Sequence, residues 1–271
     1  MQYDPVKRSL GNVFNKAAWL RKLFYRLLDL LLLRAWYIKR EFRKIFSGTD
    51  KNSSVEILDA GCGYGQYDFY MSGRLRNANI LGVDVKQEQI DDCNQFFGKI
   101  GRGDRVRFQY ADLTEFQMAD KFDLILSVDV MEHILEDEKV FQNFGKSLKK
   151  GGTLLISTPS DQGGSDVHDE HEHSFIDEHV RDGYNIDDIQ RKLKDAGFSQ
   201  VEARYSYGKP GSLAWTLSMK WPITMLNKSK LFFIILIPYF MAVYPWCFLL
   251  NWIDTLQKHD TGTGLIVKAT K

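Results

Sequence analysis

Cysteine is scarce in this chain: Cys62, Cys93 and Cys247 are the only three in 271 residues, and no two of them form a CxxC pair. A disulfide framework and a cysteine-built metal site are thereby excluded, and a reducing, cytosolic setting is expected. A secretory signal is also missing. The first long apolar run starts only near Leu27 and no small-residue cleavage site follows it, so the catalytic part is expected to stay inside the cell. Repeats and low-complexity tracts are absent. Net charge is nearly absent at +1, but its distribution is informative. Residues 1–50 carry eleven Lys/Arg against four Asp/Glu and residues 208–271 carry seven against two, which leaves about −11 on the middle. With 44% hydrophobic and 26% charged residues the chain is globular in composition, and its length fits one core with additions.

From Val55 onward, apolar strand-like runs alternate with helical patterns. VEILDA leads to a helix from about Gly65, NILGVDV to KQEQIDDCNQFFG, and FDLILSV to a helix through EKVFQNFGKSLKK; RVRFQYAD and GGTLLIST read as further strands. The alternation predicts an α/β fold with a parallel sheet and crossover helices. NIDDIQRKLKDAG reads as a helix with Asn185 as N-cap and Gly197 just past its end, followed by strand-like FSQVEARYSY. GTGLIVKAT is the last strand.

The first strand runs into ILDAGCGYGQYDF, residues 57–69. Its turn reads GxGxG, with Gly61, Gly63 and Gly65, and Asp59 stands two residues ahead. Dinucleotide folds use GxGxxG to bring backbone and a helix N-terminus against a pyrophosphate. The spacing here differs by one residue, and an ordinary tight strand-to-helix turn is the plain alternative. Asp84 ends the second strand, where a carboxylate can accept from both ribose hydroxyls of an adenosine. Asp112 follows the third strand in YADLTEF, where it can accept from an adenine amino group. Three acids at the ends of three successive strands converge on the crevice where such sheets bind ligands.

In these positions the sequence resembles the class I S-adenosylmethionine-dependent methyltransferases. ILDAGCGYG is similar to their first motif, LGVDV to their second-strand acid, ADLTEF to their adenine motif, and FDLILSVDVMEHI with LKKGGTLLISTP to their fourth- and fifth-strand motifs. The resemblance covers about residues 55–207 plus 262–271. It implies a Rossmann-like seven-stranded sheet whose last strand is antiparallel and inserted beside its neighbour at the edge. It also implies S-adenosyl-L-methionine as cofactor. The 61–65 turn, with Asp59, Gly61, Gly63 and Gly65, would hold the methionine portion, Asp84 the ribose, and Asp112 with Leu113 the adenine; Val85 and Ser127 complete the implied set.

Methyl transfer from a sulfonium is an in-line displacement, so alignment matters more than elaborate acid–base machinery. A histidine base, or a cation that lowers the acceptor's pKa, can remove the acceptor's proton. Asp129, Glu132 and His133 lie in SVDVMEHI, and a helix beginning near Asp129 would place all three on one face. The pattern is similar to the acid-x-x-Glu-His motif of the polyprenyl-dihydroxybenzene O-methyltransferases of ubiquinone synthesis, where the trio is associated with a divalent cation. Here Asp replaces the first Glu; a structural pair that closes the strand is the alternative. SDVHDEHEHSF holds His168, His171 and His173 in the loop after the fifth strand. Such a run reads as a solvated loop, while the resemblance implies a lid or substrate contact, with His171 or His173 as the base second to His133.

Two segments stand outside the alternation. Residues 17–46 read as one long, basic amphipathic helix. Residues 231–253 carry no charge over 23 positions and contain Pro238 and Pro245. One membrane crossing there would separate the last two strands, which the fold must pair, so a single span is not expected. An interfacial hairpin bent at the prolines, a dimer interface and a cover over the substrate site remain open. Lys228, Lys230 and Lys258 flank the run, and basic amphipathic segments bind anionic membrane surfaces. Packing of both segments as an added helical layer is the alternative.

The expected organisation is a basic N-terminal segment at 1–50, a cofactor-binding core at 51–207, an apolar helical insertion at 208–261 and the last strand at 262–271. The expected function is O-methylation of a hydrophobic small molecule, a quinone precursor or lipid-like phenol, at the cytoplasmic membrane face. A C-methyltransferase of the quinone-synthesis type and a non-catalytic membrane adapter are the rivals, and a homodimer is left open. Nucleic acid is not an expected partner, because SVDV replaces an Asn-Pro-Pro-Tyr type of motif and no aromatic-basic patch interrupts the acidic core.

Overall fold

The apolar runs become strands because both of their faces are covered. In the computed structural model, which describes residues 17–50, 52–163, 180–229 and 232–271, β1 (Val55–Ala60), β2 (Ala78–Asp84), β3 (Val106–Tyr110), β4 (Phe122–Val128), β5 (Leu148–Pro159), β6 (Gln200–Ser206) and β7 (Gly264–Thr270) form one sheet. Its order is β3-β2-β1-β4-β5-β7-β6. β7 runs antiparallel to both β5 and β6, so the last strand is inserted beside the edge as expected.

The helices form two layers. α1 (Ala18–Leu31), α2 (Leu33–Ile45), α3 (Gln66–Arg74) and α4 (Gln87–Lys99) cover the face that carries Ile57, Leu124 and Leu155. α5 (Asp137–Ser147) and α6 (Ile186–Asp195) cover the face that carries Leu58, Ile125 and Leu154. Adjacent residues on one strand thus feed opposite cores, as a two-residue period requires. The α6 punctuation is as read: Asn185 Oδ1 accepts from Asp187 N at 3.0 Å, and Gly197 takes φ 94°.

The N-terminal segment is two helices, not the single long one expected. Leu32 interrupts it with ψ 112°, which lets α1 turn toward α4 while α2 packs on the sheet. No glycine or proline marks this break; the need to bury both Tyr25 and Leu33 accounts for it.

The insertion is a helical hairpin, but its bend is not at the prolines. α7 (Lys209–Trp215), a π segment (Thr216–Lys220) and α8 (Trp221–Lys228) run outward, and α9 (Phe232–Leu256) returns as one helix through Pro238 and Pro245. At 1.5 Å per residue α9 is about 37 Å long, enough by length to cross a bilayer. The outward run cancels that displacement, so β6 and β7 pair on the same side. Buried Asp254 pins the base: its carboxylate accepts from Gly211 N at 2.8 Å and from Tyr37 OH at 2.5 Å. Asp254→Ala should therefore lower stability by about 2 kcal/mol, since it strands the buried Gly211 N while Tyr37 OH keeps the Asp254 carbonyl at 2.9 Å, and chemical denaturation will measure the loss.

Candidate functional site

The 61–65 turn is fixed from both neighbouring strands. Gly61 N and Cys62 N donate to Val83 O at 2.8 and 3.0 Å. Asp84, at the end of β2, accepts from Gly63 N and from Lys86 N, both at 3.0 Å. Gly61 sits at φ 81°, and a Cβ there would lie 2.2 Å from Val130 Cγ2, so no side chain fits. Gly63, at φ 52°, has nothing nearer than 3.9 Å, which leaves its backbone open to a ligand. From the outer side, α1 closes the turn: Arg21 Nη2 donates to Tyr64 O at 2.9 Å, and the Tyr25 hydroxyl donates to the same carbonyl.

Beneath the turn, the structure places two acids together. Asp59, at the end of β1, is buried beside Asp68 in the first turn of α3. Neither forms an ion pair among the described residues, and Asp59 Oδ2 and both Asp68 oxygens lack a hydrogen-bond partner. Burial, followed by the neighbouring Asp68, pushes Asp59 well above the usual carboxylate range; burial pushes Asp68 up to about 7. Tyr67 OH and Ser127 Oγ are likewise buried without a partner. The raised, proton-sharing Asp59–Asp68 pair has no cation beside it among the described residues, so it is the part of this turn that a cationic ligand would complete.

The adenine-side expectations fall on an ordered loop. Asp112 Oδ1 accepts from Thr114 N and Thr114 Oγ1, both at 2.8 Å. Leu113 is buried, and Asn143 Nδ2 donates to the carbonyls of Leu113 and Thr114 at 3.0 and 2.9 Å. Val85 is exposed at the end of β2.

The expected Asp129, Glu132 and His133 face does not form. Asp129 is left-handed at φ 52°, its amide bonded to Ser157 O at 2.8 Å, and only Met131–His133 make a single 3₁₀ turn. Asp129 pairs with Arg34 from α2, so an arginine supplies the positive charge that the metal reading assigned to a cation. That carboxylate in turn holds the Arg34 guanidinium charged. Buried Glu132 accepts from Thr158 Oγ1 at 3.1 Å and is pushed up to about 8, by burial first and Asp129 second. His133 is exposed. Among the described residues no group of three or more His, Cys, Asp or Glu could hold a metal ion. His168, His171 and His173 lie outside the described residues.

Asp68, Tyr67, Arg34, Tyr207 and Asn143 escaped the sequence reading. Arg34 N bonds Tyr207 OH at 3.1 Å, and burial pushes that hydroxyl up to about 12. Asp68 follows Gly65 by three residues, but an acid in a first helical turn also reads as a simple dipole partner. Arg34 gave no signal, because its partner is 95 residues away.

Comparison with known proteins converges on one family. A family profile described as a methyltransferase domain matches residues 51–197. Phosphoethanolamine N-methyltransferase 1 of Triticum aestivum is 34% identical over 165 residues, which cover 57% of this chain and 30% of that protein. The chain thus spans under a third of the length of that curated relative. A structure of a sarcosine dimethylglycine methyltransferase from Galdieria sulphuraria superposes with a TM-score of 0.56 at 16% identity, covering 87% of this chain and 84% of that one. Haemonchus contortus phosphoethanolamine N-methyltransferase 2, solved with phosphomonomethylethanolamine and S-adenosylhomocysteine, gives 0.57 at 19% identity over 86% of this chain and 52% of its own.

The buried acids make stability depend on pH. Asp68 and Glu132 keep their protons up to about 7 and about 8 in the folded protein, whereas both ionise near pH 4 when unfolded. The folded state binds more protons across that window, so stability should fall as pH rises through it. Melting temperatures from pH 5 to pH 8.5 should drop more for the wild type than for Asp68→Asn/Glu132→Gln; equal slopes would contradict the assignment.

Proposed function

This chain belongs to the methyltransferase-domain family, and from that premise we propose that it methylates a hydrophobic or amphiphilic small molecule at a membrane surface, with S-adenosylmethionine as donor. The unpaired Asp59 and Asp68 carboxylates beside an open glycine turn carry the reading. S-adenosylmethionine supplies an electrophilic methyl on a sulfonium, and it brings an ammonium as well. These positive charges match two buried acids that no cation among the described residues neutralises, a costly arrangement unless a ligand completes it.

The chain's own residues divide the remaining work. Asp84, with its oxygens oriented by Gly63 N and Lys86 N, stands where the ribose is expected. Asp112 and Leu113, held by Asn143, border the adenine side. Gly61, Gly65 and Val85 shape the approach, while Ser127 and Tyr67 offer unused polar atoms. His133, just past β4, takes the proton of an acceptor hydroxyl; His171 and His173 are the second assignment. Arg34 and Asp129 bridge α2 to this end of the sheet, so the N-terminal helices enclose the acceptor side.

Exposed Trp19, Leu23, Leu27 and Leu30 on α1, with Ile234, Ile237, Met241 and Trp246 on α9, support a peripheral place on the cytoplasmic membrane face. A second reading, N-methylation of a phosphorylated amino alcohol, is favoured by the likeness to the wheat enzyme.

Transfer of radiolabelled methyl from S-adenosylmethionine separates these readings. Label in the organic phase of a lipid extract supports the first, and label in soluble phosphoethanolamine alone supports the second. No label with any acceptor, despite cofactor binding, returns the adapter. His133→Ala should lower turnover about 100-fold with cofactor affinity nearly unchanged; full activity would move the base to His171 or His173.

A further inference from the structure

A groove of about 490 Å³ lies between the end of α1, α2 and the last turns of α9. Its apolar lining includes Leu30, Trp36, Phe248, Trp252 and Leu256, with Trp36 edge-on to Phe248 at 4.6 Å. Arg26, Arg40 and Arg43 line it as well. The one acid there, Asp29, is already engaged by Lys39 and by Gln66 Nε2 at 2.8 Å. None of the three arginines pairs with a carboxylate among the described residues. Among the described residues, Arg40 Nη1 is buried with no hydrogen-bond partner.

A buried guanidinium N–H without an acceptor is costly, so its partner is to be sought beyond the described residues, and a ligand in the groove would supply one. Guanidinium forks match phosphate oxygens, and three of them beside Asp29–Lys39 leave the groove net positive. A small soluble phosphate would satisfy the arginines but leave the aromatic lining bare. A phosphate joined to an acyl chain satisfies both. Met241, two turns before Phe248 and so on the same side of α9, is 77% exposed.

We propose that this groove binds the phosphate headgroup of an anionic membrane lipid, whose acyl chain lies against Trp36, Phe248 and Trp252. The inference rests on the membrane-surface reading above and adds a specific headgroup site to it. Lipid held there fixes α2 against the bilayer, and the first turn of that helix carries Arg34 to Asp129.

The full-length chain, mixed with phosphatidylcholine vesicles with or without phosphatidylglycerol, tests this by sedimentation and by tryptophan quenching with brominated lipid. The six tryptophans all lie in α1, α2 or the hairpin, so quenching reports these segments alone. Phosphatidylglycerol should strengthen binding, and Arg40→Glu/Arg43→Glu should weaken it about tenfold or more while binding to phosphatidylcholine is unchanged. Lys150→Glu/Lys194→Glu, an equal charge change at exposed positions on the core, should leave the preference intact; loss in both pairs would overturn the site. Arg40→Gln gives the milder test if the double variant does not fold, and an unchanged preference in it would also overturn the site. If glycerol phosphate in solution abolishes the preference, the groove is a soluble-phosphate site and the proposal fails. Equal binding to both vesicles sinks the headgroup site alone, and binding to neither sinks the membrane reading too.

Discussion

The backbone of residues 61–65 is held from three directions, and the site depends on that grip. Val83 O and Asp84 hold it from β2, Val130 closes on Gly61 from the loop after β4, and Arg21 with Tyr25 seizes Tyr64 O from α1. A loop this constrained presents the open face of Gly63 without reorganisation, which is the useful state for a binding turn. The grip also explains why a basic N-terminal helix has a buried arginine. Arg21 is 3% exposed, with its guanidinium 4.7 Å from the Phe96 ring centre, so part of the positive charge at this end is structural.

Electrostatics divide the surroundings of the turn into two zones. Below it, Asp59 and Asp68 face each other without a counter-ion and share the penalty by holding protons. Beyond β4, Asp129 is neutralised by Arg34, and Glu132 stays protonated against Thr158. Among the described residues the first zone lacks a counter-charge and the second has one. The first zone is the one a cationic ligand would complete, whereas Asp129 already has its counter-charge in Arg34.

Much of this was legible in the sequence, for local reasons. The strands were bounded apolar runs, the acids at their ends followed from the α/β crevice rule, and Asn185 with Gly197 marked a helix by cap chemistry. What stayed hidden was set by distant contacts. The break at Leu32 carries no turn residue, and the Arg34 to Asp129 pair joins segments read as separate domains. The helical face expected for Asp129, Glu132 and His133 failed because Asp129 took a left-handed turn to bond β5. The need to pair β6 with β7 argued against a single span and left a hairpin as one of three open forms. Its bend was misplaced, because both prolines are carried within α9.

Calorimetric titration of S-adenosylmethionine into the protein near pH 6.5, repeated in buffers of different ionisation enthalpy, tests the central claim most directly. A cationic ligand over Asp59 and Asp68 must draw those carboxyls into their charged form, so binding should release protons, and Asp68→Asn should reduce both the affinity and the release. No binding at millimolar cofactor, or binding with no proton release that Asp68→Asn leaves untouched, would contradict the account.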